Sequence, residues 1–511
     1  MLETIYKFLS EGAKKNTSIL YVVLAAFFVR VLFFTGGIRG SDAYAYAMYA
    51  FQIASGQYDI NLIDNFYGFR FALLLPTALS YRLFGVSDYS SVLFPYLFSL
   101  LNILVVFFIA ERIFDRKTAF IAAVLLAIYP LDIATANILG PDSFIPCFSS
   151  LAVLCYVFAE KRMDASENAG GYLLLTGLFI GLAYLSRITS VFILIALVFY
   201  HIVRRRKIRY LLWTIMGFLA PWLTEAFYYK IYTGDPFFHY HRIAVHEALV
   251  KGADPDAIVS LLFYPKVMFG FDLTGWAFYG LIWWLVLMGL GLAFRQKDTR
   301  MLLPFFFLLI PFLGFEFGTQ SLKEMIPIMK NYNYLSLITG PAVLIAAYAV
   351  RETIRMLFDE SRKRVRAVTL VLLMFAVMNM YGVYRLAQNV RDDAGPYEAV
   401  ASVLKGKEHP VIYVHHERWP LFLKYFLRYD PTVEFRSLSG MSKKQIEDIS
   451  GSYVVLHKRY LIADTAGRSL EQLPVYADYF DNPPKTWKRI LIYSGEPDYN
   501  TATIFYADRK D

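Results

Sequence analysis

Apolar runs of about 17–21 residues recur along the chain between short polar loops, and runs of that length cross about 30 Å of hydrocarbon. They lie at about 18–35, 91–110, 118–131, 143–159, 171–186, 188–203, 210–228, 275–294, 301–318, 332–350 and 367–385. The pattern predicts an α-helical polytopic membrane protein of about eleven spans. Residues 171–203 as one helix would be about 50 Å long at 1.5 Å per residue, so a tight turn at Arg187 is predicted instead. One further apolar segment, Phe69 to Phe84, is short, contains Pro76 and carries Arg70 and Arg82 near its ends. It reads as a helix lying in the membrane interface.

After the last span the pattern changes. Val411 to Val414, Tyr453 to Leu456, Arg489 to Tyr493 and Thr503 to Tyr506 have the short β-branched and aromatic character of strands. Pro396 to Leu404, Trp419 to Tyr429 and Ser442 to Ile449 read as helices. The chain is therefore expected to divide into a transmembrane domain, residues 1–390, with a first outer loop at 36–90, and a small α/β domain, residues 391–511.

The chain is 57% hydrophobic and 18% charged, against about 45–50% and 25% in soluble domains. The formal charge of +9 suggests a nucleic-acid partner until it is mapped. With Phe69 to Phe84 in the interface, every strongly basic loop falls on one side: Glu111 to Lys117, Arg204 to Arg209, Arg295 to Arg300 and Arg351 to Arg366. That is the signature of cytoplasmic loops, and nucleic acid is not implied. The N-terminus is then cytoplasmic, with an uncleaved first span. Residues 36–90, 132–142, 229–274, 319–331 and the C-terminal domain are extracytoplasmic. Cys147 and Cys155 share one apolar segment, so no disulfide framework follows.

Candidate chemistry collects on the outer side. Asp42 opens a helix in Gly40-Ser41-Asp42, where a carboxylate caps orphan N–H groups and can also accept a proton from a hydroxyl nucleophile. Asp142 opens a span in Gly140-Pro141-Asp142-Ser143. It caps a helix or serves a site, and Asp132 is a rival for that role. Arg70, Arg187, Lys323 and Lys330 are candidate ligands for a phosphate. Arg187 is conspicuous, since a cation between two apolar spans demands a partner. Tyr44, His241, Arg242 and Tyr332 are candidates for contact with a sugar or acceptor. The His239, His241 and His246 spacing matches no recognised zinc pattern, and His415-His416-Glu417 reads as surface. No metal site is assigned; a divalent metal is possible but not favoured, and no cofactor is certain.

In order and spacing these segments resemble the GT-C superfamily of membrane glycosyltransferases, the branch holding protein O-mannosyltransferases and the aminoarabinose transferase of lipid A. The likeness runs through Gly40-Ser41-Asp42, Phe69-Arg70 to Gly85, Glu111 to Asp115, Leu125 to Pro130 and Pro141-Asp142-Ser143. It continues through Gly181 to Arg187 and Lys330 to Tyr334. It implies a GT-C-like fold with juxtamembrane helices in the first outer loop, and a polyprenyl-phosphate-linked sugar as donor. It also implies Asp42 as the first-loop catalytic carboxylate and Asp142 as the second outer acid. Asn331 and Asn333 stand where the family often has Arg before Tyr. The acceptor motif Trp-Trp-Asp of oligosaccharyltransferases is absent.

The expected activity is transfer of a hexosyl or pentosyl group from a polyprenyl-phosphate donor to an acceptor hydroxyl on a protein, lipid or glycan. The reaction is an inverting displacement at the outer face of what is expected to be a prokaryotic plasma membrane. The rival readings are a multi-span transporter, which predicts internal repeats, and a lipid-linked glycan polymerase or ligase.

Overall fold

The computed structural model describes residues 17–38, 40–63, 65–243, 262–269, 273–319, 328, 330–416, 418–465, 474–495 and 500–508. The described helices are α1 Thr17–Leu32, α2 Gly40–Ser55, α3 Phe71–Phe84, α4 Asp88–Ile113, α5 Arg116–Ala127, α6 Pro130–Ala136, α7 Phe144–Asp164, α8 Gly170–Ser186, α9 Val191–Val203 and α10 Arg209–Thr233. They continue as α11 Phe263–Phe269, α12 Leu273–Tyr279, α13 Ile282–Gln296, α14 Leu302–Phe317, α15 Thr339–Leu357 and α16 Ser361–Leu404. The C-terminal part adds β1 Val411–Val414, α17 Arg418–Phe426, β2 Glu434–Ser437, α18 Lys443–Glu447, β3 Ser452–His457, α19 Lys458–Thr465, β4 Trp487–Tyr493 and β5 Ala502–Ala507.

Among the described residues, 5 helices are long and apolar enough to cross a membrane, or 6 with one bent pair. Shorter apolar helices include Ser18–Leu32, Gly170–Ser186, Ile188–Val203 and Ile282–Gln296. Two expected spans are broken. The run at 118–131 is α5 and α6, bent by 56°, because Pro130 cannot continue a helix through its own missing N–H. The run at 275–294 is α12 and α13, divided at Gly280, whose φ is +57°. A side chain at Gly280 would meet Asn379 Oδ1 at 2.3 Å. As expected from the sequence, the backbone between α8 and α9 turns extended at Arg187.

The chain forms two compact units. One comprises Met1–Phe34, Gln57–Thr77 and Val92–Ala387; the other comprises Thr35–Gly56, Ala78–Ser91 and Gln388–Asp511. The second unit resumes at Gln388, and α2 and residues 78–91 belong to it. The cause is aromatic packing. Tyr44 stacks on Phe422 at 4.1 Å, and Phe51 stacks on Tyr429 at 4.4 Å. Tyr425 donates its hydroxyl to Asp88 at 2.8 Å and meets Ser91 Oγ at 2.8 Å.

In the second unit the sheet order is β2-β1-β3-β5-β4. β1 is parallel to β2 and β3, while β5 is antiparallel to β3 and β4. β3 is buried along its whole length, as a central strand covered on both faces must be. The expected strands appear; β2, exposed at the sheet edge, is additional.

In the first unit, α8 and α10 approach closely at small residues. A Cβ on Gly177 would lie 1.9 Å from the Thr214 carbonyl, and one on Gly217 would lie 2.1 Å from the Leu174 carbonyl. Bare backbone is what allows helices to meet so tightly in lipid, and this crossing fixes the helix that ends at Arg187.

Candidate functional site

The bent pair α5 and α6 exposes carbonyls at its break that lipid cannot satisfy. Arg30 Nη1 bonds Ala127 O at 3.3 Å, and Asn379 Nδ2 bonds Ile128 O at 3.0 Å. Arg30 also pairs with Asp132 and donates Nε to Ser99 Oγ at 2.9 Å. Ser99 in turn donates to Asp132 at 2.6 Å. Arg30 and Asp132 are both buried. Asp132, the rival to Asp142 in the sequence, is therefore held by a buried cation and a serine hydroxyl.

Asp142 instead faces Arg187. Arg187 Nη2 lies 2.7 Å from Asp142 Oδ1, and Ser336 Oγ donates to the same oxygen at 3.3 Å. The guanidinium carbon of Arg187 stands 4.6 Å from the centre of the Tyr334 ring, a cation–π distance. Tyr264 donates its hydroxyl to the Asn331 carbonyl at 3.1 Å, and burial pushes its ionisation well above the ordinary range. One acid and one cation, named separately in the sequence, form a single pair framed by three loops.

One residue beyond Ser336 begins a small apolar cavity of about 20 Å³. It is lined by Leu337 with Ile109, Val153, Ile193, Phe307 and Leu344, and by the hydroxyl-bearing Ser149.

The other sequence candidates are placed as follows. Asp42 is exposed in the first turn of α2. Arg70 follows a short 3-10 turn and stacks over Phe66 and Tyr67 at 5.1 and 5.7 Å. Lys330 is turned to backbone carbonyls. It donates to the carbonyls of Phe315, at 2.7 Å, and Glu316, closing the end of α14 with 5% of its side chain exposed. Tyr44 is 2% exposed in its aromatic cluster. Tyr332 is half-buried and stacks on Phe278 at 4.9 Å. His241 is exposed and bonds Asp235 at 2.6 Å; Arg242 covers Phe238 at 5.0 Å. Lys323 and His246 lie outside the described residues. Among the described residues, no three His, Cys, Asp or Glu side chains converge as a metal site would require.

The sequence reading missed Arg30, Ser336 and Glu316. Arg30 had a signal, as a lone cation in an apolar run. Ser336 had none. Glu316, which accepts from the backbone N–H groups of Phe263 and Tyr264 at 3.1 and 3.0 Å, was legible only as an acid near the end of a span.

Comparison with known proteins agrees with this architecture. The family model for dolichyl-phosphate-mannose-protein mannosyltransferase matches residues 73–224. ArnT from Cupriavidus metallidurans in the apo state is similar over 96% of this chain and 98% of its own, at TM-score 0.61 and 14% identity. The same protein bound to undecaprenyl phosphate gives a TM-score of 0.60. The Archaeoglobus fulgidus oligosaccharyltransferase tethered with an acceptor peptide gives 0.56 at 13% identity, over 95% of this chain and 74% of that one. Comparison with curated protein sequences returns no match. The chain has the GT-C glycosyltransferase fold.

Proposed function

We propose that the protein is a membrane glycosyltransferase that moves a sugar from a polyprenyl-phosphate donor to an acceptor hydroxyl at the outer face of the membrane. The observation that carries the reading is the Asp142–Arg187 pair, in a fold shared with a protein solved bound to undecaprenyl phosphate. Arg187 binds the lipid phosphate: its planar fork carries five N–H donors, enough to serve Asp142 and a phosphate together. Asp142 and Tyr334 hold the fork in place.

Asp42 acts as the base. It takes the proton of the acceptor hydroxyl as the new oxygen–carbon bond forms at the anomeric centre. The bond from that carbon to the phosphate oxygen breaks, and Arg187 neutralises charge gathering on the departing phosphate. A single displacement inverts the anomeric carbon, and with so good a leaving group no covalent enzyme intermediate is needed. The test is the Asp42→Asn variant, assayed for consumption of a polyprenyl-phosphate sugar by purified protein in lipid vesicles. Turnover should fall by at least about 100-fold, within the range of general-base contributions, while Tm is unchanged. Near-normal turnover in that variant sinks the assignment.

A further inference from the structure

The second unit contains a feature that the transfer reaction leaves unused. From β1 the chain passes through α17 to β2 on one side, then through α18 to β3 on the other side of β1. The strand order therefore reverses between β1 and β3, and the carboxyl ends of these two parallel strands open a crevice where α/β domains bind ligands. The residues there are His415 and His416 after β1, and His457, Lys458 and Arg459 at the end of β3. Two helices, α17 and α19, begin at this edge, and helix N-termini attract anions.

A buried polar group at the crevice lacks a partner. His415 is 3% exposed, and its Nδ1 lies 3.3 Å from the Val455 carbonyl on β3. A carbonyl only accepts, so Nδ1 carries the proton and Nε2 is left as an acceptor. Among the described residues Nε2 has no hydrogen-bond partner. Aromatic faces surround it: Tyr476 at 5.6 Å from the His415 ring, and Tyr460 stacked on His416 at 4.2 Å. Burial, and after it the charges of His415, Arg459 and His416, disfavour protonation of His457, against a hydrogen bond with Asn500 that favours it.

We propose that this crevice binds a saccharide bearing an acidic group. A sugar hydroxyl donates to His415 Nε2, the ring lies against the tyrosines, and a phosphate or carboxylate meets Lys458, Arg459 and the two helix starts. The site belongs to the acceptor side of the reaction, a point that rests on the glycosyltransferase reading. Tyr397 stacks on His457 at 6.3 Å and touches Tyr44 at 6.2 Å, so the helix that opens with Asp42 leans on the wall of this crevice.

The test is calorimetric titration of the full chain in detergent micelles with glucose, inorganic phosphate, glucose 6-phosphate and glucuronic acid. At least one acidic sugar should bind saturably, at least about 10-fold more tightly than glucose or inorganic phosphate. The Lys458→Gln/Arg459→Gln variant should weaken that binding at least about 10-fold with Tm unchanged. Absence of saturable binding by both acidic sugars overturns the proposal, as does undiminished binding in the double variant. Phosphate binding as tight as that of glucose 6-phosphate overturns it too, because the hydroxyl contact then contributes nothing. No sugar transfer is measured, so a failure here is separate from a failure of the Asp42 assignment.

Discussion

Arg187 sets its guanidinium 2.7 Å from Asp142, so the break between α8 and α9 and the turn that opens α7 are held by one ion pair. If the pair works as a unit, Asp142→Asn and Arg187→Gln should each lower donor turnover by at least about 100-fold. The double variant should be no worse than Arg187→Gln alone, the non-additivity of coupled groups. Multiplying losses in the same vesicle assay would show that the two residues act separately.

The Arg30–Asp132 pair tests a different property. Removing one partner leaves an uncompensated buried charge, which costs about 3–5 kcal/mol. Arg30→Leu or Asp132→Leu should therefore lower Tm and yield sharply. The double Leu variant should recover part of the loss, though the carbonyls of Ala26 and Ala127 lose their donor. Thermal unfolding of detergent-purified variants measures both, and a double variant less stable than either single one would contradict this.

Helix contact at Gly177 leaves no room for a side chain. Gly177→Val meets the Thr214 carbonyl where a Cβ would sit 1.9 Å away, and overpacking of this kind costs about 1–3 kcal/mol or more. Gly291→Ala on α13 is the control, since nothing lies within 4 Å of its added carbon. The first variant should unfold at lower temperature and also raise the donor KM, because α8 ends at Arg187. Equal behaviour of the two would refute the packing argument.

Acid should weaken the C-terminal domain before carboxylates titrate fully. Burial brings His415 down to about 4 and His457 down to about 3, from an ordinary value near 6.5. The unfolded chain thus binds these protons first, so stability is complete above about pH 6.5 and falls as pH drops toward 4. At 1.36 kcal/mol per pH unit His415 contributes up to about 3 kcal/mol and His457 up to about 5 kcal/mol, and the two are not additive because the charge of His415 lowers His457. Unfolding midpoints measured across that window should fall in wild type and fall less in His457→Gln. A flat profile would contradict it.

The sequence reading succeeded where one chain segment decides its own state. The turn at Arg187 follows from length and from a cation between apolar runs, and the strands β1, β3, β4 and β5 follow from short β-branched stretches. It failed where the deciding partner is remote. The spacing of Tyr44 and Phe51 marks a helix, but nothing local says that these rings meet Phe422 and Tyr429. Asp42 and Asp142 looked alike as capping acids; only the fold shows one exposed in a first turn and the other held by Arg187. Lys330 looked like a free cation because a linear pattern does not show which carbonyls a helix end leaves open.

The ion pair at the first helix has a consequence for how the protein is made. Arg30 and Asp132 stand 102 residues apart, and synthesis proceeds at about 5–20 residues per second. For roughly 5–20 s, then, the first helix exists without the carboxylate that neutralises it. An arginine at a helix centre costs about 2.5–3.5 kcal/mol on insertion scales, whereas Arg30 stands in the last turn of α1, where its side chain can snorkel to the interface. The nascent helix can therefore hold Arg30 among the headgroups until α4 brings Ser99 and α6 brings Asp132. Assembly of this fold is timed by its own primary structure, and a ribosome that pauses between those segments would prolong the most vulnerable moment of its birth.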